Sequence, residues 1–248
     1  IELVNPESFV SIGTITGFVS PRYILPVSNG KAYVSNFKTN AINIVDLNNN
    51  VITGTIACGW SNLNEEMALS FGKAYITSPA TNKVYVINTA TDVVEDSILV
   101  GRGASDIQED ANGKLWVLCF GKESTNELAG LYRINPASNK VEWSISFPDK
   151  TYHPSHLETD GTHRNLFYTS KEGVFKFNIS DVNLPALPLI SRGSIYLYGT
   201  GIDPKSGIIY IGDAAGFTAE GTVYRFQPDG TLINSFKTGI GPNGFYFN

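Results

Sequence analysis

The sequence lacks long apolar runs, and it lacks any cluster of basic residues. No stretch approaches the ~20 apolar residues that a membrane-spanning helix needs. Lys and Arg together number 18 in 248 residues, against 23 Asp and Glu. A surface that binds nucleic acid needs concentrated positive charge. The sequence therefore predicts no nucleic-acid partner and no membrane-spanning segment.

Cysteine is scarce as well, with only Cys58 and Cys119. The repeat described below places them in different structural units, beyond the reach of a disulfide. We expect two small buried side chains. Their number leaves the cellular compartment undecided.

Common catalytic motifs are also missing. The sequence contains no nucleophile elbow, no glycine-rich phosphate loop, no His-Glu-x-x-His and no paired-cysteine zinc spacing. Each of these motifs places a reactive group in a defined local geometry. Their absence removes the simplest sequence evidence for an enzyme.

What the sequence has is an internal repeat with a period of 42 residues. Gly30-Lys-Ala-Tyr33 recurs as Gly72-Lys-Ala-Tyr75, and Val51 recurs as Val93. Each copy contains short runs in which apolar and polar residues alternate, separated by turns rich in Asn, Asp and Thr. A period in the forties built from such strands is typical of a β-propeller blade. The predicted fold is all-β, a six-bladed propeller of four-stranded blades, with seven blades as the alternative.

The repeat predicts a single domain, 1–248, with five whole blades and one composite blade. The whole blades span 21–59, 60–101, 102–148, 149–190 and 191–239. The composite blade takes its outer strands from 1–20 and its inner strand from 240–248. It lacks a second strand, so it is either three-stranded or completed by roughly fifteen preceding residues, and we favour the latter.

One signature along the third strand of the blades resembles a known family. It reads Val84-Tyr-Val-Ile-Asn88, Leu131-Tyr-Arg-Ile-Asn135 and Val174-Phe-Lys-Phe-Asn178, and it accompanies Gly30-Lys-Ala-Tyr-Val-Ser-Asn36. These residues resemble the YVTN-repeat β-propellers of bacteria, in particular the surface-layer type of the cell envelope. The resemblance implies an exported protein at the cell surface or in the periplasm, often lipid-anchored through a segment outside this sequence. It implies no catalytic residues.

Ligands of propellers collect where the inner strands converge on the channel mouth, so we searched the starts of those strands. The candidate ligand-binding residues are Arg22, Tyr23, Trp60, Glu66, Asp106, His153, His156, Thr200 and Asn243. Trp60 could stack on a sugar or an aromatic ligand. The opposing interpretation is a set of solvated polar residues that line a wet channel.

Three of these residues could bind a metal ion. Glu66, Asp106 and Asn243 offer hard oxygen ligands for Ca²⁺ or Mg²⁺, and His156 would favour a transition metal. A divalent cation in the central channel is the one cofactor that the residues suggest.

The predicted function is a non-enzymatic binding or scaffolding module at the cell surface. Its partner would be a glycan, a small molecule or a surface protein bound at the channel mouth, and the protein would be a monomer. The alternative is a metal-dependent hydrolase or lyase of lactonase type that uses the carboxylates at the hub. A redox-cofactor propeller is less favoured, because the mouth lacks a cysteine pair and several basic residues.

Overall fold

The repeat folds into a series of small antiparallel sheets. The structure, a computed structural model, describes residues 1–58 and 64–247. The first part contains β1 Glu2–Val4, β2 Ser11–Thr14, β3 Pro21–Ser28, β4 Lys31–Asn36, β5 Ala41–Asp46, β6 Val51–Ala57, β7 Met67–Ser70, β8 Lys73–Ser78, β9 Lys83–Asn88 and β10 Val93–Leu99. The second part contains β11 Ala104–Glu109, β12 Leu115–Cys119, β13 Gly130–Asn135, β14 Lys140–Ser146, β15 Ser155–Thr159, β16 Asn165–Ser170, β17 Gly173–Asn178, β18 Ile190–Ser191, β19 Leu197–Ile202, β20 Ile209–Asp213, β21 Thr222–Phe226 and β22 Leu232–Lys237.

Within the described residues, the strands form five four-stranded sheets and one two-stranded sheet. The four-stranded sheets are β3–β6, β7–β10, β11–β14, β15–β18 and β19–β22, and β1 pairs with β2. We number the four-stranded sheets one to five in chain order. The first strands of neighbouring sheets, β3, β7, β11, β15 and β19, lie beside one another. Six sheets around these inner strands fit the predicted six-bladed propeller.

Burial follows the position of each strand within its sheet. The second strands lie between sheets, and Leu115–Cys119 is buried at every position. The outermost strand of the same sheet, Lys140–Ser146, alternates exposed and half-buried residues because one of its faces meets solvent. Apolar clusters fill the space between successive sheets, and a smaller cluster packs the β1–β2 hairpin against sheet one. Cys58 and Cys119 are free and buried, as predicted.

In the irregular regions, the structure agrees only in part with what the sequence predicted. The last strand of sheet four is reduced to Ile190–Ser191, and Pro185 and Pro188 just before it have no N–H to donate to a strand ladder. The predicted inner strand 240–248 does not form among the described residues, since 240–247 carries no regular structure. Pro242 has no N–H to donate to a strand ladder.

The segment 240–247 nevertheless lies against sheet five. The carbonyl oxygen of Asn243 approaches the backbone of Gly199 in β19. The ring of Tyr210 lies 5.6 Å from that of Phe245 and 5.2 Å from that of Phe247. The segment therefore packs against sheet five without forming strand hydrogen bonds. No helix in the described residues is long and apolar enough to cross a membrane.

Candidate active site

Several of the predicted residues line one cavity at the channel mouth. This channel cavity, about 300 Å³ in volume, is lined by Arg22, Tyr23, His156, Glu158, Thr200, Asn243, Gly244 and Phe245. The inner strands bring these residues together although more than 200 positions separate Arg22 from Asn243. Arg22 also pairs with the buried Glu65, with Nε 3.1 Å from Oε2. The mouth therefore presents a guanidinium, a phenol, an imidazole and a carboxyl group to one small volume.

Glu66 and Asp106 lie deeper, and each reaches across to the next inner strand. Glu66 Oε2 accepts the backbone N–H of Ile107 at 2.7 Å, and its Oε1 accepts Gln108 Nε2 at 2.9 Å. Asp106 Oδ1 accepts the N–H of Leu157 at 3.1 Å. Burial raises the pKa of Glu66 well above its usual range, and the Asp106 carboxylate adds to the increase. Burial also raises the pKa of Asp106.

These hydrogen bonds bear on the predicted metal site. Within residues 1–58 and 64–247, no three His, Cys, Asp or Glu side chains are close enough together to hold a metal ion. The oxygens of Glu66 already accept protein hydrogen bonds, and Asn243 is exposed. The set Glu66, Asp106 and Asn243 therefore stays a prediction, and no chemical step below is routed through a metal.

Of the predicted residues that the structure describes, Glu66, Asp106 and His153 do not line the channel cavity. His153 is half exposed, with its Nε2 3.8 Å from Glu123 Oε2, and it lines a neighbouring cavity. Trp60 falls outside the described residues.

Sequence reasoning missed Glu158, which is two residues beyond His156 in the same strand. Burial raises the pKa of Glu158 to about 8, and the nearby Asp106 carboxylate contributes. The Thr200 hydroxyl on the same cavity is buried and has no hydrogen-bond partner among the described residues. Glu158 could have been found from its position two residues after His156, because alternate residues of a strand lie on the same face.

Ser155 was also missed, and its hydroxyl contacts the imidazole of His156. Its Oγ lies 3.1 Å from His156 Nδ1 and 2.9 Å from Thr169 Oγ1. Consecutive strand residues normally point to opposite faces. Here the register shifts between Ser155 and Glu158, and His156 has a φ of +56°. This left-handed backbone turns the two neighbouring side chains toward each other.

The imidazole of His156 is held in a neutral form. Burial lowers its pKa, while the Asp106 carboxylate and a hydrogen bond to the backbone of Tyr198 act in the opposite direction. A neutral imidazole near a hydroxyl can accept the hydroxyl proton, and a nearby carboxylate stabilises the cation that results. Ser155, His156 and Asp106 thus have the chemical types of a nucleophile, a base and its anionic partner.

Solved structures similar to this chain share its fold at low sequence identity. The hydrazine synthase of Kuenenia stuttgartiensis has a TM-score of 0.72 and 17% identity, covering 96% of this chain and 80% of that one. Virginiamycin B lyase from Staphylococcus aureus has a TM-score of 0.68 and 20% identity, covering 88% and 70%. A quinoprotein alcohol dehydrogenase-like protein of Bacteroides thetaiotaomicron has a TM-score of 0.75 and 10% identity, covering 96% and 60%. No curated protein matches the chain in sequence.

These comparisons confirm a multi-blade propeller and correct the predicted function. The prediction of a non-enzymatic binding or scaffolding module is wrong by this comparison, because structures with this fold include a synthase and a lyase. The enzymatic alternative, which uses residues at the hub, is the better supported of the two. Identities this low relate folds and not activities. The family itself is identified by the match of residues 4–248 to the model of a domain of unknown function, DUF5074, and the chain belongs to that family.

Proposed function

We propose that this chain is a hydrolase of esters or lactones, with Ser155 as the nucleophile and His156 as its base. The observation that carries the proposal is the 3.1 Å contact between Ser155 Oγ and His156 Nδ1. A serine hydroxyl is a weak nucleophile until an adjacent base takes its proton. Ser155 also lines a cavity of about 250 Å³, where a substrate could reach it.

The proposed reaction has two stages. The Ser155 oxygen bonds to the carbonyl carbon of the substrate while its proton moves to His156 Nδ1. His156 then gives this proton to the alcohol oxygen as the carbon–oxygen bond breaks. Water repeats the sequence on the acyl-enzyme, which releases the acid and restores Ser155. Asp106 stabilises the imidazolium, and the Tyr198 backbone orients the ring.

The first test is turnover of a panel of p-nitrophenyl esters and lactones by the purified chain. Ser155→Ala should lower kcat/KM by about a hundredfold or more, because it removes the nucleophile. Ser235→Ala is the matched control, since Ser235 is an exposed serine in β22, away from the site. A fluorophosphonate should add its mass to Ser155 in the unmodified chain. Unchanged turnover in Ser155→Ala, or no turnover of any substrate, would refute the proposal.

The rate should also depend on pH through His156. Because burial lowers its pKa, the base remains neutral below the ordinary histidine value of about 6.5. Activity should therefore persist below pH 6.5 and decline only at the lower pH where the buried imidazole takes up a proton. A profile of kcat/KM against pH measures this limb directly.

A second candidate is a lyase whose acid is Glu158. It is favoured by a carboxyl group that has a pKa of about 8 and faces the channel cavity. A protonated carboxyl at neutral pH can donate to a departing oxygen. On the same panel, Glu158→Gln would then abolish turnover while Ser155→Ala retained it, and the products would contain a new double bond.

Other features stay predictions beside this proposal. They are the finer resemblance to YVTN-repeat, surface-layer-type propellers, export to the cell surface or periplasm, lipid anchoring, the monomeric state and a divalent cation in the channel. Closure of the sixth blade by 1–20 and 240–248 also stays a prediction.

A further inference from the structure

The cavity beside Ser155 has a basic rim. This rim cavity lies where sheets four and five meet, and its wall includes Ser155, Thr169, Lys171 and Arg192. His153 adds a third basic side chain. The chain as a whole carries a net charge of −5, so a local group of cations is opposite in sign to the net charge of the chain.

The two strong cations of the rim have no carboxylate partner within 4.0 Å among the residues that the structure describes. Lys171 Nζ donates to a hydroxyl, Thr151 Oγ1, at 3.0 Å. Asp149 lies close enough to feel the charge of Lys171, and Glu123 approaches His153. Arg192 retains its guanidinium for another acceptor. Arg192 is therefore the rim cation whose charge no carboxylate of the described residues pairs with.

The backbone fixes the two cations at neighbouring positions. Lys171 lies in the tight turn between β16 and β17, and Arg192 directly follows β18. The N–H of Arg192 donates to the carbonyl of Glu172 at 2.9 Å, and Gly173 pairs with Ser191. Gly173 has a φ of +151°, and a Cβ there would overlap the carbonyl of Ile190. The glycine thus allows the close approach that places Arg192 next to the turn.

We propose that the rim cavity binds an oxyanion of the substrate, a carboxylate or a phosphate group, and holds it beside Ser155. The substrates would then be esters or lactones that carry such an acidic group, an inference that rests on the proposed function. A guanidinium presents paired N–H donors that match the oxygens of these anions, and an ammonium adds a point charge. The Ser155 and Thr169 hydroxyls supply further polar groups on the same wall.

The first experiment measures anion binding without turnover. Inorganic phosphate and succinate are titrated separately at low ionic strength, which limits screening, and backbone amide NMR shifts report the site. We expect saturable shifts at residues 169–172 and 192 with at least one of the two anions. The double variant Lys171→Ala, Arg192→Ala should bind that anion about tenfold more weakly or worse, since each lost contact is charge-assisted.

The matched control is the double variant Lys38→Ala, Arg164→Ala. It removes the same charge at two exposed positions, so it should bind as the unmodified chain does. Tighter binding of phosphate would identify a phosphate group as the oxyanion, and tighter binding of succinate would identify a carboxylate. An absence of saturable binding with both anions would overturn the inference, and so would equal weakening in the two double variants.

The second experiment compares two esters that differ only in a free carboxylate or phosphate. Arg192→Ala should raise KM about tenfold for the acidic ester and leave KM unchanged for the neutral one. Equal effects on both esters would contradict the inference. If the chain binds the anion but Ser155→Ala retains full activity, the proposed function fails while the anion site stands. If Ser155→Ala is inactive and no anion binds, only the anion site fails.

Discussion

The backbone of His156 is the residue-scale feature on which the site depends. A non-glycine residue in the left-handed region costs of order 1 kcal/mol. With a φ of +56°, the backbone of His156 turns its side chain toward the neighbouring Ser155. In a regular strand the two side chains would point to opposite faces. A register shift also occurs in β11, where the Ser105 hydroxyl donates to the adjacent Asp106. Asp106 is not left-handed, so the two inner strands share a contact between neighbouring side chains but differ in the backbone that produces it.

Glu158 provides a residue-scale prediction about stability. Its pKa is raised from an ordinary 4.5 to about 8 by burial, so the folded chain holds a proton that the unfolded chain loses. Stability from this group is complete below pH 4.5 and is lost as the pH rises toward 8. Glu158→Gln should therefore increase the free energy of unfolding at pH 8.5 by on the order of 2–4 kcal/mol, and change it little at pH 4.

Urea unfolding of both chains at the two pH values checks this difference. Glu220→Gln, at an exposed position, is the control and should show no such dependence on pH. An equal gain at pH 4 and pH 8.5 would indicate a packing effect unrelated to protonation.

The sequence could predict part of the site because strand starts in a propeller converge. His156, Thr200, Arg22 and Tyr23 were found in this way, and the structure places them on one cavity. Ser155 could not be found, because its contact arises from a backbone dihedral that the alternating pattern does not encode. The rim cations come from a turn and the end of a two-residue strand. A search of the inner strands alone does not reach them.

At the scale of elements, neighbouring sheets are joined by bonds between a buried aromatic residue and the next turn. Tyr75 in β8 donates to Asn139 Oδ1 at 2.9 Å and lies 3.0 Å from the carbonyl of Pro136. Tyr33 in β4 donates in the same way to Asp92. Asp92 and Asn139 both have positive φ, which Asp and Asn tolerate better than most residues. Each turn therefore closes its own hairpin and also accepts a hydrogen bond from the preceding sheet.

Removing one of these tyrosine hydroxyls should weaken the contact between neighbouring sheets. Tyr75→Phe should lower the free energy of unfolding by about 1–2 kcal/mol, because buried acceptors on the next sheet lose their donor. Tyr246→Phe, at a residue that is 83% exposed, should change it by less than about 0.5 kcal/mol. Urea denaturation at neutral pH compares the two. Equal stability of both variants would mean that apolar packing alone joins the sheets.

The repeat predicted the strands well for a physical reason. Each copy must present the same alternation and the same turns to stack on its neighbours, so β4, β5, β8 and β9 lie where the two copies align. The tyrosine positions were also visible in the repeat. Their partners were not, since a bond to the following sheet joins residues about 60 positions apart and depends on how far the sheets rotate.

At the scale of the whole molecule, the two ends of the chain approach each other beside the channel. Val4, Pro6, Phe9 and Tyr246 line a common cavity of about 470 Å³. The segment 240–247 also contributes Asn243, Gly244 and Phe245 to the channel cavity. The C-terminal segment therefore forms part of the site although it forms no strand. The repeat predicted a strand here, and the absence of one follows from Pro242 and the glycines around it.

Gly199 is one of the glycines that admit this segment, with Gly201, Gly212 and Gly221, and it gives the last prediction. A Cβ at Gly199 would overlap the carbonyl oxygen of Asn243, whereas a Cβ at Gly239 would meet nothing within 4 Å. Gly199→Ala should therefore displace 240–247 from sheet five, exposing the ring of Tyr210 and opening the channel cavity. We expect limited proteolysis to cleave within 240–247 much faster than in the unmodified chain, with a melting temperature lower by several degrees. Gly239→Ala should behave like the unmodified chain, because its new methyl group has open space. Equal proteolysis of both variants would mean that the segment is held by its aromatic contacts and can shift around the added methyl group.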